Sequence, residues 1–106
     1  MNGSVQSLLH ELKAGLQSVY GARLQGVYLY GSYVRGEADA ESDVDVLVVL
    51  DQVSDYGAEI DRTSFLVADL SLRYGVSVSR VFVPEGAWQS HETSFLLNVH
   101  EEAVPV

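Results

Sequence analysis

The chain has no cysteine, two prolines, one tryptophan and six basic residues among its 106. Without thiols it can form neither a disulfide nor a zinc–sulfur centre, and cysteine nucleophiles are excluded. Six Lys and Arg against fifteen Asp and Glu leave a net charge of −9. That balance argues against direct nucleic-acid binding, which needs clustered cations to neutralise phosphates. A partner with a basic face suits it better. No apolar run approaches the ~20 residues that span a bilayer, so no membrane association is expected. The opening MNGSVQSLLHELK lacks the basic region that starts a secretory signal. The expectation is a soluble, cytoplasmic protein.

Apolar residues make up 47% of the chain and charged residues 20%, the composition of a globular protein. The length suits one domain over residues 1–106. Val5, Leu8, Leu9, Leu12, Leu16 and Val19 form one helical stripe, with Ser4 as N-cap and Gly21 as stop, which predicts a helix over about 4–20. Residues 26–30 are rich in strand formers. The polar, glycine-rich stretch 31–41 reads as a loop or a short helical turn.

A second strand carries Val44, Val46, Val48 and Leu50 on one face and Asp43, Asp45, Leu47 and Val49 on the other. Past its first residues it is apolar on both faces, as a central strand covered from two sides would be. After a turn at 51–54, helical spacing runs from Asp55 to Tyr74 and stops at Gly75. Asp55, Glu59 and Asp61 suit the positive end of that helix and read as a solvated face. Residues 76–83 form a third strand stopped by Pro84. Strand, crossover helix and strand imply parallel pairing with a right-handed connection. A last helix is expected over Ser94–Glu102, packed on the sheet. The fold class is α/β: a small mixed sheet of about three main strands with packed helices.

Alternate strand residues share a face, so Asp43 and Asp45 point the same way, about 7 Å apart along the backbone. Two carboxylates aimed at one point repel unless a cation lies between them or one stays protonated. The pair is therefore either a metal site or an exposed strand end. A lone Asp-x-Asp says little. Gly31-Ser32 at the end of one strand, followed ten residues later by Asp43-x-Asp45 at the start of the next, says more. Gly31 allows positive φ and close backbone approach, so nearby N–H groups and the Ser32 hydroxyl can hold phosphate oxygens. Asp43 and Asp45 suit Mg²⁺, which takes one or two carboxylates and completes its shell with substrate phosphates and water. Arg35 either neutralises phosphate charge or ties its loop to an acid.

Gly31-Ser32-Tyr33-Val34-Arg35-Gly36, followed by Ser42-Asp43-Val44-Asp45, resembles the signature of the polymerase-beta-like nucleotidyltransferases. It is most similar to the small MNT-domain proteins of prokaryotic toxin–antitoxin pairs. The resemblance implies a nucleotidyltransferase fold in which Gly31 and Ser32 contact the triphosphate of an NTP, here ATP. It implies that Asp43 and Asp45 ligate Mg²⁺ and act in catalysis, and that NMP is transferred to a hydroxyl. It also implies a small helical partner of the HEPN type, which such domains neutralise as antitoxins.

The chain departs from that pattern at one point. Active relatives carry a third carboxylate on the next strand, facing the Asp pair, where this chain has Ser77 and Ser79. Asp51 cannot stand in, being about 20 Å along the strand from Asp45, and Glu85 lies beyond the far end of the third strand. Two readings stay open: an Mg²⁺-dependent enzyme, or a catalytically impaired module that binds its partner stoichiometrically. About 100 residues leave little surface to enclose nucleotide and acceptor together, so a second polypeptide or a homo-oligomer is expected to complete the site. His10, His91 and His100 show no ligand spacing to one another and read as surface residues. Trp88, Phe82 and Phe95 read as core or partner contacts.

Overall fold

A computed structural model describes residues 3–106. Helix α1 (Gly3–Tyr20) leads through a 3₁₀ turn (Gly21–Arg23) into strand β1 (Leu24–Tyr30). A four-residue helix α2 (Ser32–Arg35) precedes strand β2 (Val44–Leu50). Then come α3 (Tyr56–Tyr74), β3 (Val78–Pro84), α4 (Glu85–Ser90), α5 (Ser94–Glu102) and a two-residue strand β4 (Val104–Pro105). The sheet order is β3-β2-β1-β4. Strand β2 is antiparallel to β1 and parallel to β3, and β4 runs antiparallel to β1.

The alternation in β2 divides the core as its sequence demands. Val44, Val46, Val48 and Leu50 are buried with Leu8, Leu12 and Leu16 of α1 and Val67 and Leu70 of α3. Leu47 and Val49 are buried on the opposite face with Val83, Trp88, Leu96 and Val99. Burying one such aliphatic side chain contributes about 1.5–3 kcal/mol, so β2 is the most heavily stabilised strand. The parallel crossover is held by Arg80 of β3, whose Nε donates to Thr63 Oγ1 (2.7 Å) and Nη2 to the Ile60 carbonyl (2.9 Å) of α3.

Several expectations shift by a few residues. Helix α1 already includes Gly3, so Ser4 lies in its first turn and does not cap it. Its buried stripe ends on Tyr20 in place of Val19, which is exposed. Asp55, expected within the first turns of α3, stands just before the helix and caps it, its side chain accepting from the Ala58 N–H at 3.1 Å. Strand β3 starts at Val78 and takes in Pro84, which suits a strand with one neighbour because its missing N–H costs no ladder bond. The sheet has a fourth strand, β4, too short to carry any periodic signal.

One expectation fails outright. Glu59 is not on a solvated face but 3% exposed. Its carboxylate accepts from Tyr20 Oη (2.8 Å), Arg62 Nη1 (2.8 Å) and Arg23 Nη2 (3.1 Å). Burial pushes this carboxyl up, but the bonds from Arg62, Tyr20 and Arg23 outweigh it and hold it below the usual range. Burial and the neighbouring Glu59 in turn raise the Tyr20 hydroxyl. A buried charge persists when its desolvation is offset by this many donors.

Candidate functional site

Strand β1 ends at Tyr30, which pairs with Asp45 near the start of β2. The chain must then turn within one residue, and that residue is Gly31, at φ 85° and ψ −155°. Only glycine occupies this region readily. Space requires it as well, because a Cβ there would lie 2.3 Å from Asp45 Oδ2. The Gly31 carbonyl accepts from the Val34 and Arg35 N–H groups at 3.1 and 3.2 Å, winding α2 from Ser32 to Arg35. The Ser32 hydroxyl has no hydrogen-bond partner among the described residues.

Asp43 is exposed just before β2, and Asp45 is half-buried within it. Burial, the charge of Asp43 and, less strongly, that of Glu102 raise the Asp45 carboxyl, with Arg35 opposing them. The Tyr30 hydroxyl is pushed up to about 12, first by burial and then by Asp45. Burial leads both shifts, and neighbouring negative charge adds to each more than Arg35 offsets at Asp45. That is the state that favours a bound cation. Among the described residues no group of three or more His, Asp or Glu side chains is placed to hold a metal ion. The donors on offer are two hard carboxylates, a set that suits Mg²⁺ sharing its shell with phosphate and water.

The parallel register sets Ser79 directly across from Asp45, while the Ser77 carbonyl accepts from the Val44 N–H at 2.8 Å. No acid stands at either position. Arg35 reaches sideways, Nε donating to Glu37 at 2.8 Å and Nη1 to both oxygens of Glu102 at 3.1 Å. Glu102 Oε2 also accepts from the Gly31 N–H. Glu102 was not foreseen, because its place depends on the short pairing of β4 with β1.

The remaining candidates fall elsewhere. His91 and His100, unrelated by spacing, stack edge-on at 4.1 Å beside Trp88, and both are exposed. His10 is exposed on α1, away from that pair. Phe82 and Trp88 are core residues on opposite faces of the sheet, whereas Phe95 is 44% exposed and meets Tyr30 edge-on at 5.9 Å. No helix among the described residues is long and apolar enough to cross a membrane.

Comparison with known proteins bears on this geometry. A family model described as nucleotidyltransferase domain matches residues 9–102. A Methanocaldococcus jannaschii protein, MJ0604, provisionally named a protein adenylyltransferase, is 34% identical over 98 residues, covering 92% of each chain. The protein adenylyltransferase MntA of Thermococcus cleftensis is 41% identical over 69 residues, covering 65% of this chain and 68% of its own. Among solved structures, a toxin–antitoxin crystallised with AMP-PNP superposes with a TM-score of 0.58 at 23% identity, over 89% of this chain and 68% of that one. The last likeness is one of fold.

Proposed function

The chain belongs to the nucleotidyltransferase domain family, and on that premise we propose that it is an adenylyltransferase moving AMP from ATP to a hydroxyl of a partner protein. The observation that carries this reading is the packing of Gly31 against Asp45, with Asp43 beside them at the head of β2. A turn without a side chain, an unpartnered Ser32 hydroxyl and two crowded carboxylates stand together, as a nucleoside triphosphate with its magnesium ion would need. Names of relatives supply the choice of ATP.

In this reading Ser32 and the Gly31 turn hold the β- and γ-phosphates, and Arg35 offsets their charge. Asp43 and Asp45 hold Mg²⁺, which when bound neutralises phosphate charge and polarises the α-phosphorus. The acceptor oxygen attacks that phosphorus and forms a new P–O bond. The bond to the β-phosphate oxygen breaks, pyrophosphate leaves with the electron pair, and the hydroxyl proton passes to a site carboxylate or to water. The acceptor is a tyrosine or serine of a small helical, HEPN-type partner, the chain acting as the antitoxin of the pair in the cytoplasm. A nearby toxin–antitoxin fold supports that assignment.

Ser79 opposite Asp45 favours a second reading, in which the missing acid leaves a catalytically impaired module that binds its partner stoichiometrically without transferring AMP. One experiment separates the two. The protein is incubated with α-labelled ATP, Mg²⁺ and the partner, in parallel with Asp45→Asn. Label on the partner that vanishes with the variant supports transfer. Partner binding without label, unchanged by the variant, supports the module. Absence of any ATP-dependent rise in Tm sinks the transferase reading, since a native-state ligand must stabilise.

A further inference from the structure

We propose that Glu102, the last residue of α5, is a positioning residue of this site: its carboxylate fixes the Gly31 turn and Arg35 in the arrangement that receives the nucleotide. The inference rests on the nucleotide reading above and extends it to the C-terminal helix.

Three observations converge on Glu102. Its Oε2 accepts the Gly31 N–H, and both its oxygens accept from Arg35 Nη1 at 3.1 Å. One carboxylate of the C-terminal helix therefore holds both ends of the α2 turn, the Gly31 backbone and the Arg35 cation. The register explains how it gets there. Strand β4 pairs Val104 with Leu29 and Pro105 with Tyr28. Continuing that antiparallel count by two residues sets Glu102 opposite Gly31. A second tie from the same helix lies alongside, Phe95 resting edge-on against Tyr30.

The placement is electrostatically awkward. A carboxylate at a helix C-terminus faces the negative end of the dipole, and Glu102 adds to the charge that raises both Asp45 and Tyr30. The Gly31 N–H and the Arg35 guanidinium are what offset those costs. Without Glu102 the turn N–H loses its acceptor. Arg35 then keeps only Glu37, an acid of its own loop, and loses its tie to the C-terminal helix. The strand-end glycine and the arginine would no longer be held at a set distance from Asp45.

The test compares the parent protein with Glu102→Ala, Glu102→Gln and the neighbouring control Glu101→Gln, measuring ATP binding with Mg²⁺ by calorimetry. Loss of a charge-assisted bond weakens binding about tenfold or more. The expected result is that Kd rises by that factor in Glu102→Ala while Tm without ligand holds. Glu102→Gln, which still accepts from Gly31, recovers part of the loss, and Glu101→Gln stays within about twofold. The Gly31 amide proton in a ¹⁵N spectrum of the free protein moves upfield in Glu102→Ala, a signature that generic loosening would not confine to one residue. Equal ATP affinity in parent and Glu102→Ala overturns the positioning role and leaves the nucleotide reading standing. Tighter binding in Glu102→Ala also overturns it, since the carboxylate would then be competing for the phosphate seat. No ATP binding by the parent protein overturns both.

Discussion

Gly31 and Asp45 touch across the β1–β2 ladder so closely that a single methyl on the glycine would lie 2.3 Å from the aspartate's Oδ2. The substitution Gly31→Ala therefore forces two changes at once. A side chain must adopt φ near 85°, a conformation costing about 1–3 kcal/mol, and Asp45 must move. The expected outcome is a lower unfolding midpoint in urea together with loss of the ATP-induced rise in Tm. A stable variant that still binds ATP would contradict the placement of the site.

Asp45→Asn should separate stability from ligand binding. Burial and the charge of Asp43 raise this carboxyl above the ordinary aspartate range. The native state therefore holds the proton more tightly than the unfolded chain. Its contribution to stability falls as pH climbs from the ordinary aspartate range to the raised native value and stays reduced at neutrality. Asparagine removes that dependence. At pH 7 the variant should be at least as stable as the parent without ligand, with a flatter pH profile on the acid side. It should also lose the stabilisation that saturating Mg²⁺ and ATP confer, about 2.7 kcal/mol at a hundredfold excess over Kd. Urea titrations across pH, with and without nucleotide, read both effects.

Glu59 behaves in the opposite sense. Arg62, Tyr20 and Arg23 hold its carboxyl down against the upward push of burial. The stability it contributes is present above the unfolded-state pKa and is lost as pH falls through the depressed native value. Glu59→Ala leaves the Tyr20 hydroxyl and two guanidinium groups without this acceptor and should cost about 3 kcal/mol at pH 7. The deficit should shrink in acid, where the parent loses the same charge. A variant melting like the parent at neutral pH would show the cluster to be ornamental.

Ser79→Asp tests the gap opposite Asp45. A third carboxylate there adds like charge to a crowded corner, so the variant without ligand should lose about 1 kcal/mol of stability. Mg²⁺ should restore it, and metal affinity should rise above that of the parent. If AMP transfer is weak in the parent for want of an acid, it should increase in this variant. Unchanged transfer with tighter Mg²⁺ would place the limiting step elsewhere.

Phe65 and Leu72 project from α3, exposed to 86% and 84%. They lie seven residues apart on one side of the helix. Replacing both with serine should leave stability within about 0.5 kcal/mol per site. Weaker capture of a partner by an otherwise unchanged protein would assign that stripe to the interface.

The parts of this molecule legible in its sequence are those with a period. The alternation of β2, the stripe of α1 and the stop of α3 all follow from residues a few positions apart. The Gly31–Asp45 relationship was readable because each half sits at a strand end. Glu59 escaped because nothing local distinguishes a buried acid from a solvated one; its donors Tyr20 and Arg23 lie 39 and 36 residues away. His91 and His100 meet only because α4 and α5 fold together on one face. Glu102 reaches Gly31 across 71 residues through a two-residue strand, and no pattern announces so brief a pairing.

Strand β2 is sealed between two helical layers from Val46 to Leu50, and the half-buried Asp45 is carried on that strand one residue before the sealed run. The backbone of Asp45 is therefore not displaced by a passing fluctuation of a loop. Backbone amides of Val46 to Val49 should exchange with solvent only when the whole domain opens. The backbone that carries Asp45 is thus fixed by the core itself, and its position lasts as long as the native state does.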